Sequence, residues 1–133
     1  MKRELKDEYS FEELRGIVAD LRGPAGCPWD KAQTYDSLKK CLRDETQEVL
    51  DAVDHRDAEN LKEELGDILL QVLLYAQLAS EDGLFTLDDV FNVLGRKLVR
   101  RHPHVFGEEK ADTEEEALQL WYKIKAMEKE GYR

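Results

Sequence analysis

The sequence predicts an all-α protein built as a bundle of about five helices. Apolar residues recur every three or four positions, no segment alternates as a strand would, and capping residues precede the apolar runs. Only 3 prolines and 8 glycines occur in 133 residues, of which 38% are charged. The segment 65–78 is apolar almost all round, so we expect other helices or a second subunit to cover it. We therefore expect residues 1–133 to form one domain whose core is completed by homo-oligomerisation.

The first two predicted helices flank a loop. Ser10 with Glu13 has the pattern of a capping box, which predicts a helix that ends near Arg22. Residues 23–34 hold two prolines and two glycines and are predicted to form a loop. A second helix is expected from about 35 to 55.

The last three predicted helices each begin at a capping residue and end at a glycine or before a proline. They run from Asp57 to near Gly83, from Thr86 to before Pro103, and from Thr113 to near Gly131. The connection between the second and third helices is the short stretch "HRD" at 55–57. So short a connection predicts that these two helices pack antiparallel.

Composition and charge exclude several classes of protein. The net charge is −10, whereas a protein that binds duplex nucleic acid presents a broad basic surface, so we expect no such partner. Cys27 and Cys41 lack the spacing of a zinc site, and the longest apolar run, residues 68–79, is too short to span a bilayer. The N-terminal residues have no apolar core of a signal peptide. We expect a cytoplasmic protein that has no contact with a membrane.

Four carboxylates lie where the second and third helices should bury an apolar face. At about 100° per residue, Glu45 falls near the middle of the apolar stripe of the second helix, and Glu48 falls on its edge. In the third helix, Glu64 and Asp67 lie one turn apart on a side that continues into Gln71. Antiparallel packing would bring the four carboxylates together. The apolar stripe of the second helix consists of Leu38, Cys41, Leu42, Val49, Ala52 and Val53.

Basic residues interrupt the next two apolar stripes. Arg101 falls inside the stripe of the fourth helix with Lys97 on its edge, and Lys125 lies near the centre of the stripe of the fifth. Trp121, one turn before Lys125, either packs in the core or stacks on a base. In so charged a chain, such pairs also arise by chance as solvated faces, and long basic side chains extend out of a stripe. Glu45 fits that alternative poorly, because a short carboxylate cannot reach far.

Clustered carboxylates in a partly dry site repel one another, and either protonation or a divalent cation relieves the repulsion. Ligands that are all oxygen favour Mg²⁺, with Mn²⁺ as a substitute, over zinc. A di-iron site would need Glu-x-x-His, and no histidine follows at that spacing. A magnesium cluster beside basic side chains describes a site for a polyanion that carries several phosphates.

These motifs resemble those of the MazG-type nucleoside triphosphate pyrophosphohydrolases, which belong to the all-α NTP pyrophosphatase superfamily. The acidic signature, Glu-Glu-x-x-Glu followed by Glu-x-x-Asp, appears as "DETQE" (44–48) and "ELGD" (64–67). Further blocks that resemble the family are "GCPWDKAQT" (26–34), "EVLDAV" (48–53) and "KLVRRHPHVFG" (97–107). The resemblance covers residues 11–130, and the blocks in this order are specific, whereas the acidic motif alone is weak.

The resemblance implies an all-α bundle that assembles as a homodimer or a dimer of dimers. It also implies Mg²⁺-dependent hydrolysis of nucleoside triphosphates to nucleoside monophosphate and pyrophosphate. The residues at its metal-ligand positions, which we also expect to be catalytic, are Glu45, Glu48, Glu64 and Asp67. The residues at positions near substrate are Lys97, Arg101 and Lys125 for the phosphates, Trp121 for the base, and Trp29, Asp30 and Gln33 in the loop.

Several positions depart from the family pattern or need separate interpretation. Asp44 stands where glutamate is usual, and the helical wheel turns it away from the apolar stripe, so we expect it outside the set of ligands. Tyr35 and Gln47 also replace the residue types expected there, which leaves the base preference open. His102 and His104 in "HPH" are interpreted as a rigid turn that ends a helix, outside the catalytic set.

For the reaction, we expect a water activated by the metal to attack the α-phosphorus in line, with pyrophosphate as the leaving group. One alternative keeps the scaffold and changes the substrate to dUTP or phosphoribosyl-ATP. A second alternative is a non-catalytic helical adaptor whose acidic face binds a basic partner. Carboxylates inside an apolar stripe disfavour the adaptor, which has no need of them there.

Overall fold

A computed structural model describes residues 3–131, and these residues form seven helices and no strand. The helices are α1 Phe11–Leu21, α2 Pro28–Ala32, α3 Leu38–Asp54, α4 Ala58–Glu81, α5 Leu87–Arg101, α6 Pro103–Phe106 and α7 Glu114–Lys129. The all-α prediction is confirmed, and the five long helices are the five that the sequence predicts. The two short helices, α2 and α6, were not predicted.

Side-chain caps fix the starts of α1 and α7. At α1, Ser10 Oγ accepts from the backbone N–H of Glu13 at 3.1 Å, while Glu13 Oε1 accepts from the backbone N–H of Ser10 at 3.0 Å. At α7, Thr113 Oγ1 accepts from the N–H of Glu116 at 3.1 Å, as predicted. The carboxylate of Glu116 accepts instead from the N–H of Asp112 at 3.2 Å, one residue before the expected donor. The caps therefore place both helix starts where the sequence predicts them.

The two short helices escape prediction because they are too short to show a helical period. Both begin with a proline, Pro28 in α2 and Pro103 in α6, and they contain five and four residues. The start of α3 is also later than predicted. Thr34 and Ser37 form a reciprocal pair just before it: the N–H of Thr34 donates to Ser37 Oγ at 2.8 Å, and the N–H of Ser37 donates to Thr34 Oγ1 at 3.1 Å. This local turn delays the helix until Leu38.

The chain divides into two compact units after Leu87. In the first unit, α4 packs along α3 and also contacts α1. Its buried apolar core consists of Val18, Leu38, Ala52, Leu73, Leu74, Ala76, Leu78, Ala79 and Leu87. The second unit contains α6, α7 and all of α5 except its first residue. That residues 1–133 act as one domain stays a prediction.

The hairpin of α3 and α4 turns over three residues, 55–57. Arg56 in this turn has φ of 52°, in the left-handed region that allows the chain to reverse tightly. The long contact between the two helices confirms the predicted packing of one on the other. The hairpin thus brings the two acidic segments of the sequence to one seam between α3 and α4.

Several large apolar side chains of this hairpin remain open to solvent within the single chain. Leu50 and Val53 on α3 are 51% and 53% exposed, and Leu65 and Val72 on α4 are 52% and 40% exposed. The segment 65–78 is therefore only partly covered by the chain itself. That a second subunit completes the cover stays a prediction. Within residues 3–131, no helix has both the length and the apolarity needed to cross a membrane.

Candidate active site

Four carboxylates from α3 and α4 meet at the seam, and we call them the acidic cluster: Glu45, Glu48, Glu64 and Asp67. One oxygen from each residue lies within 4.8 Å of the corresponding oxygens of the other three. Each helix supplies two residues that are one turn apart and therefore share one face of that helix. In both helices this face is turned toward the seam. Glu64 is only 9% exposed. The structure therefore brings together the four residues that the sequence selects as metal ligands.

Charge repulsion and burial act strongly on this cluster. Burial, followed by the neighbouring carboxyl group of Glu48, raises the pKa of Glu45. Hydrogen bonding with Glu48, then burial and the nearby negative charges, raise the pKa of Glu64 to about 7. One buried oxygen of each of these two residues, Glu45 Oε2 and Glu64 Oε2, has no hydrogen-bond partner. Two buried acceptors of the cluster thus lack a donor.

The cluster fits a hard divalent cation. Its donor atoms are all oxygen and lie close enough to share one centre, and two of its four residues each carry a buried oxygen without a partner. A bound cation would favour the charged form of these carboxyl groups and so lower their pKa values. Proton uptake is the alternative in the metal-free protein, since a raised pKa keeps the carboxyl group neutral to higher pH.

The other polar residues of α3 near the acidic motif point elsewhere. Asp44 Oδ2 accepts from Lys40 Nζ at 2.7 Å on the exposed side of the helix. Gln47 donates to Asp51 Oδ1 at 2.9 Å, one turn further along. Asp44 therefore lies outside the cluster, as its position on the helical wheel predicts.

The predicted substrate loop is held by Arg22, which the sequence reasoning did not select. Its guanidinium is bidentate to Glu81 at the end of α4, with N–O distances of 2.8 and 2.9 Å. A third nitrogen, Nη1, donates to the backbone oxygen of Asp30 and, at 3.4 Å, to that of Gln33. The arginine side chain is 8% exposed. One buried side chain thus ties α1, α2 and α4 together.

Within that loop, the three candidate residues differ in availability. Trp29 is 55% exposed. The amide of Gln33 is engaged at both ends: Nε2 donates to the backbone oxygen of Trp29 at 2.9 Å, and Oε1 accepts from Ser37 Oγ at 2.7 Å. Asp30 accepts from Arg22 through its backbone oxygen. Substrate contact by these residues stays a prediction.

Tyr35, which departs from the family pattern, has a structural position. Its hydroxyl donates to Asp82 Oδ2 at 2.7 Å, and its backbone oxygen accepts from the hydroxyl of Tyr75 at 3.0 Å. The rings of Tyr35 and Tyr75 stack with centroids 6.4 Å apart. Tyr35 therefore fastens the start of α3 to the end of α4.

In the second unit, three of the predicted basic and aromatic residues come together, and we call them the basic–aromatic cluster: Arg101, Trp121 and Lys125. The guanidinium carbon of Arg101 lies 5.2 Å from the centroid of the Trp121 ring, and Lys125 Nζ lies 4.8 Å from it. Lys97 lies one turn before Arg101 on α5. The Trp121 ring thus contacts two cationic side chains. The sequence predicts either core packing or base stacking for this residue.

Glu128, which the sequence reasoning did not select, binds Arg101 of the basic–aromatic cluster. Its carboxylate accepts from Arg101 Nη2 at 2.8 Å, from Arg101 Nε at 3.2 Å and from Arg100 Nε at 2.8 Å. Hydrogen bonds from Arg101 and then Arg100 lower the pKa of Glu128 to about 2. An acidic residue one turn after Lys125 on the same helix was the available signal.

His102 and His104 form a ring pair at the start of α6. Their centroids are 5.6 Å apart, and His102 Nδ1 lies 2.6 Å from the backbone oxygen of Leu98. Together with Arg101, Glu114 and Trp121, they line a cavity of about 460 Å³. Their placement around Pro103 agrees with the interpretation of "HPH" as the turn that ends α5.

Comparison with known proteins identifies relatives of this chain. A family model described as the MazG nucleotide pyrophosphohydrolase domain matches residues 33–106, which include the acidic cluster. The nucleoside triphosphate pyrophosphohydrolase/pyrophosphatase MazG of Thermotoga maritima is 50% identical over 119 residues, or 90% of this chain. The nucleoside triphosphate pyrophosphohydrolase of Escherichia coli K12 is 44% identical over 120 residues, also 90% of the chain. The chain spans 45% and 46% of the length of these two relatives.

A solved structure supports the same relationship. The crystal structure of a mazG-related protein from Thermotoga maritima is similar with a TM-score of 0.69 and 35% sequence identity. The similarity covers 85% of this chain and 96% of that one. With the acidic motif assembled on a helical hairpin and the family model matched over more than half of the sequence, the chain belongs to the MazG nucleotide pyrophosphohydrolase family.

Proposed function

We propose that this chain hydrolyses nucleoside triphosphates to nucleoside monophosphate and pyrophosphate, with Mg²⁺ as its cofactor and Mn²⁺ as a substitute. The observation that carries the proposal is the acidic cluster, whose four carboxylates converge within 4.8 Å with two partnerless buried oxygens. The names of the relatives in Thermotoga maritima and Escherichia coli support the reaction type.

In the proposed site, Glu45, Glu48, Glu64 and Asp67 hold the cation. The chemistry that Mg²⁺ supplies when bound is neutralisation of phosphate charge and a lowered pKa of water. The carboxylates orient the attack on the α-phosphorus, and one of them accepts the proton of the attacking water. The bond that breaks joins the α-phosphorus to the oxygen bridging it to the β-phosphorus, so pyrophosphate leaves.

The remaining predicted residues would bind the rest of the nucleotide. Lys97, Arg101 and Lys125 are proposed to meet the phosphates, and Trp121 the base. The short N–O distances between Arg101 and Glu128 support a guanidinium held in a fixed orientation before substrate arrives. We propose further substrate contacts for three residues of the loop: Trp29, Asp30 and Gln33. Trp29 is the most exposed of them, whereas the amide of Gln33 is already hydrogen-bonded within the loop.

The test is pyrophosphate release from a panel of ribo- and deoxynucleoside triphosphates, with and without Mg²⁺. Hydrolysis of several nucleotides that depends on Mg²⁺ supports the proposal. Turnover of dUTP alone, or of phosphoribosyl-ATP alone, would replace it with the dedicated-substrate alternative. Absence of both hydrolysis and Mg²⁺-dependent stabilisation would favour the helical adaptor.

We also propose a homodimer or a dimer of dimers. The exposed apolar side chains of the α3–α4 hairpin, among them Leu50, Val53, Leu65 and Val72, support this proposal, because such surface on a helix already packed on one side favours burial in an interface. Light scattering during size-exclusion chromatography measures the mass. A monomer at micromolar concentration would overturn the proposal. The cytoplasmic location and the single domain over residues 1–133 remain predictions.

A further inference from the structure

Gln71 carries a buried oxygen that no neighbour satisfies. The residue is 5% exposed, and its Oε1 atom has no hydrogen-bond partner among the described residues. Buried amide oxygens in proteins are nearly always hydrogen-bonded, because an unpaired one loses its hydration without compensation. An apolar side chain at this position would avoid that cost, so the oxygen requires an explanation.

The position of Gln71 on α4 points to the acidic cluster. At about 100° per residue, its direction from the helix axis falls between those of Glu64 and Asp67. It lies one turn beyond Asp67 on the same side of the helix. The buried oxygens of Glu45 and Glu64 that also lack partners belong to the same seam.

The register of the hairpin places Gln71 at a chemical boundary. Helix geometry extends the antiparallel register of the four carboxylates by one and by two turns, and it predicts which residues face each other along the seam. These facing pairs are Glu48 with Glu64, Glu45 with Asp67, Cys41 with Gln71, and Leu38 with Leu74. The last pair is fully packed, with Leu38 at 0% and Leu74 at 1% exposure. Gln71 therefore lies between the acidic cluster and the apolar core.

We propose that Gln71 is a fifth oxygen of the cation site, whose amide oxygen accepts a hydrogen bond from a water bound to the cation. The inference rests on the proposed function, which puts a divalent cation in the acidic cluster. Four residues separate Gln71 from Asp67, which is about 6 Å along the helix axis and suits a contact through water. A neutral amide orients that water without adding a fifth negative charge to the cluster.

Two substitutions of Gln71 test this inference with opposite expected signs. Gln71→Met keeps an unbranched side chain of similar size and removes the oxygen. It is expected to weaken Mg²⁺ and Mn²⁺ binding about tenfold, while the metal-free protein melts at a higher temperature. Gln71→Glu keeps an oxygen and adds charge, so it is expected to tighten cation binding and to lower the melting temperature of the metal-free protein. Isothermal titration with MgCl₂ and MnCl₂, and melting curves in chelator, measure both quantities.

Gln77→Met is the matched control on the same helix. The amide of Gln77 donates to Glu81 Oε2 at 3.1 Å, away from the acidic cluster, so this variant should bind Mg²⁺ and Mn²⁺ like the wild type. If the wild-type chain binds neither cation, the proposed function itself fails. If the wild type binds them and both Gln71 variants keep its affinity, the inference about Gln71 is wrong while the proposed function stands.

Discussion

The acidic cluster and the basic–aromatic cluster hold their charges in opposite ways. At the α3–α4 seam, four carboxylates face one another, and two buried oxygens lack hydrogen-bond donors. Around Trp121, by contrast, the charge of Arg101 is balanced by Glu128 and its guanidinium lies over the indole ring. Buried acceptors of the acidic cluster lack donors within the protein, whereas Arg101 in the basic–aromatic cluster already has an anionic and an aromatic partner. The acidic cluster therefore favours binding of a cation, and the basic–aromatic cluster favours a fixed orientation of its basic groups.

The largest expected effect comes from neutralising the acidic cluster. Glu45→Gln or Asp67→Asn should lower the rate of pyrophosphate release by about 10³-fold or more, because each removes a charged ligand of the cation. Asp44→Asn is the control, since Asp44 pairs with Lys40 outside the cluster, and it should keep near-normal activity. Steady-state kinetics with circular dichroism as a check of folding measures this. Near-normal turnover in both cluster variants would show that the acidic cluster takes no part in the reaction.

A smaller effect is expected from breaking the internal balance of the basic–aromatic cluster. Glu128→Gln removes the anion that orients two arginines, so KM for the nucleotide should rise about tenfold with a smaller change in kcat. Glu130→Gln, two residues further along and exposed, is the control. If KM is unchanged while only the melting temperature falls, Glu128 stabilises the fold and does not position Arg101 for substrate.

The pH dependence of stability should also follow from the incomplete charge balance at the seam. The pKa of Glu64 is about 7 in the folded chain against 4.5 as its ordinary value. A raised carboxyl pKa contributes stability that is present below pH 4.5 and is lost as the pH rises through 7. The melting temperature of the metal-free protein should therefore fall across this window by a few degrees.

Glu64→Gln is expected to abolish most of that dependence and to raise the melting temperature at pH 8 in chelator. Melting curves from pH 4.5 to 8, repeated with MgCl₂, separate the contribution of the carboxyl group from that of the cation. A wild-type profile that is flat in chelator would mean that the four carboxylates interact more weakly than their distances indicate. Glu128 provides the opposite case, because its pKa of about 2 makes its contribution disappear only in strong acid.

The smallest expected effect concerns the anchor of the loop between α1 and α3. Arg22→Lys keeps the charge and loses the bidentate pair with Glu81, which should lower the free energy of unfolding by about 1 kcal/mol. Urea denaturation measures this, and Arg43→Lys on the exposed side of α3 serves as the control. Equal stability of the two variants would show that the loop is held by its other contacts, such as those of Tyr35.

The long helices and the acidic cluster could be predicted because their signals are local. Capping residues such as Ser10 and Thr113 act within one turn, and the direction of Glu45 follows from helical geometry alone. The hairpin needed one further assumption, that a three-residue connection makes α3 and α4 antiparallel. Once the two helices are antiparallel, the spacing of the four carboxylates in the sequence is enough to bring them together.

The contacts that escaped prediction depend on distant residues. Arg22 and Glu81 are 59 positions apart, and Arg100 and Glu128 are 28 apart, so no local period connects them. In a chain with 30 acidic residues, an arginine has many candidate partners, and only the packing of the helices selects one. The missing partner of Gln71 is likewise a property of the assembled seam, although its place beside Glu64 and Asp67 is visible in the sequence.

The left-handed turn at Arg56 has a consequence for protein engineering. Because only residues 55–57 join α3 to α4, one inserted residue that became part of α4 would shift the acidic side chains by about 1.5 Å along the helix and rotate them by about 100°. Glu64 and Asp67 would then leave the seam even though no ligand had been mutated. A peptide tag or a reporter domain therefore belongs in the seven-residue segment 107–113, between α6 and α7, where the acidic hairpin is not interrupted.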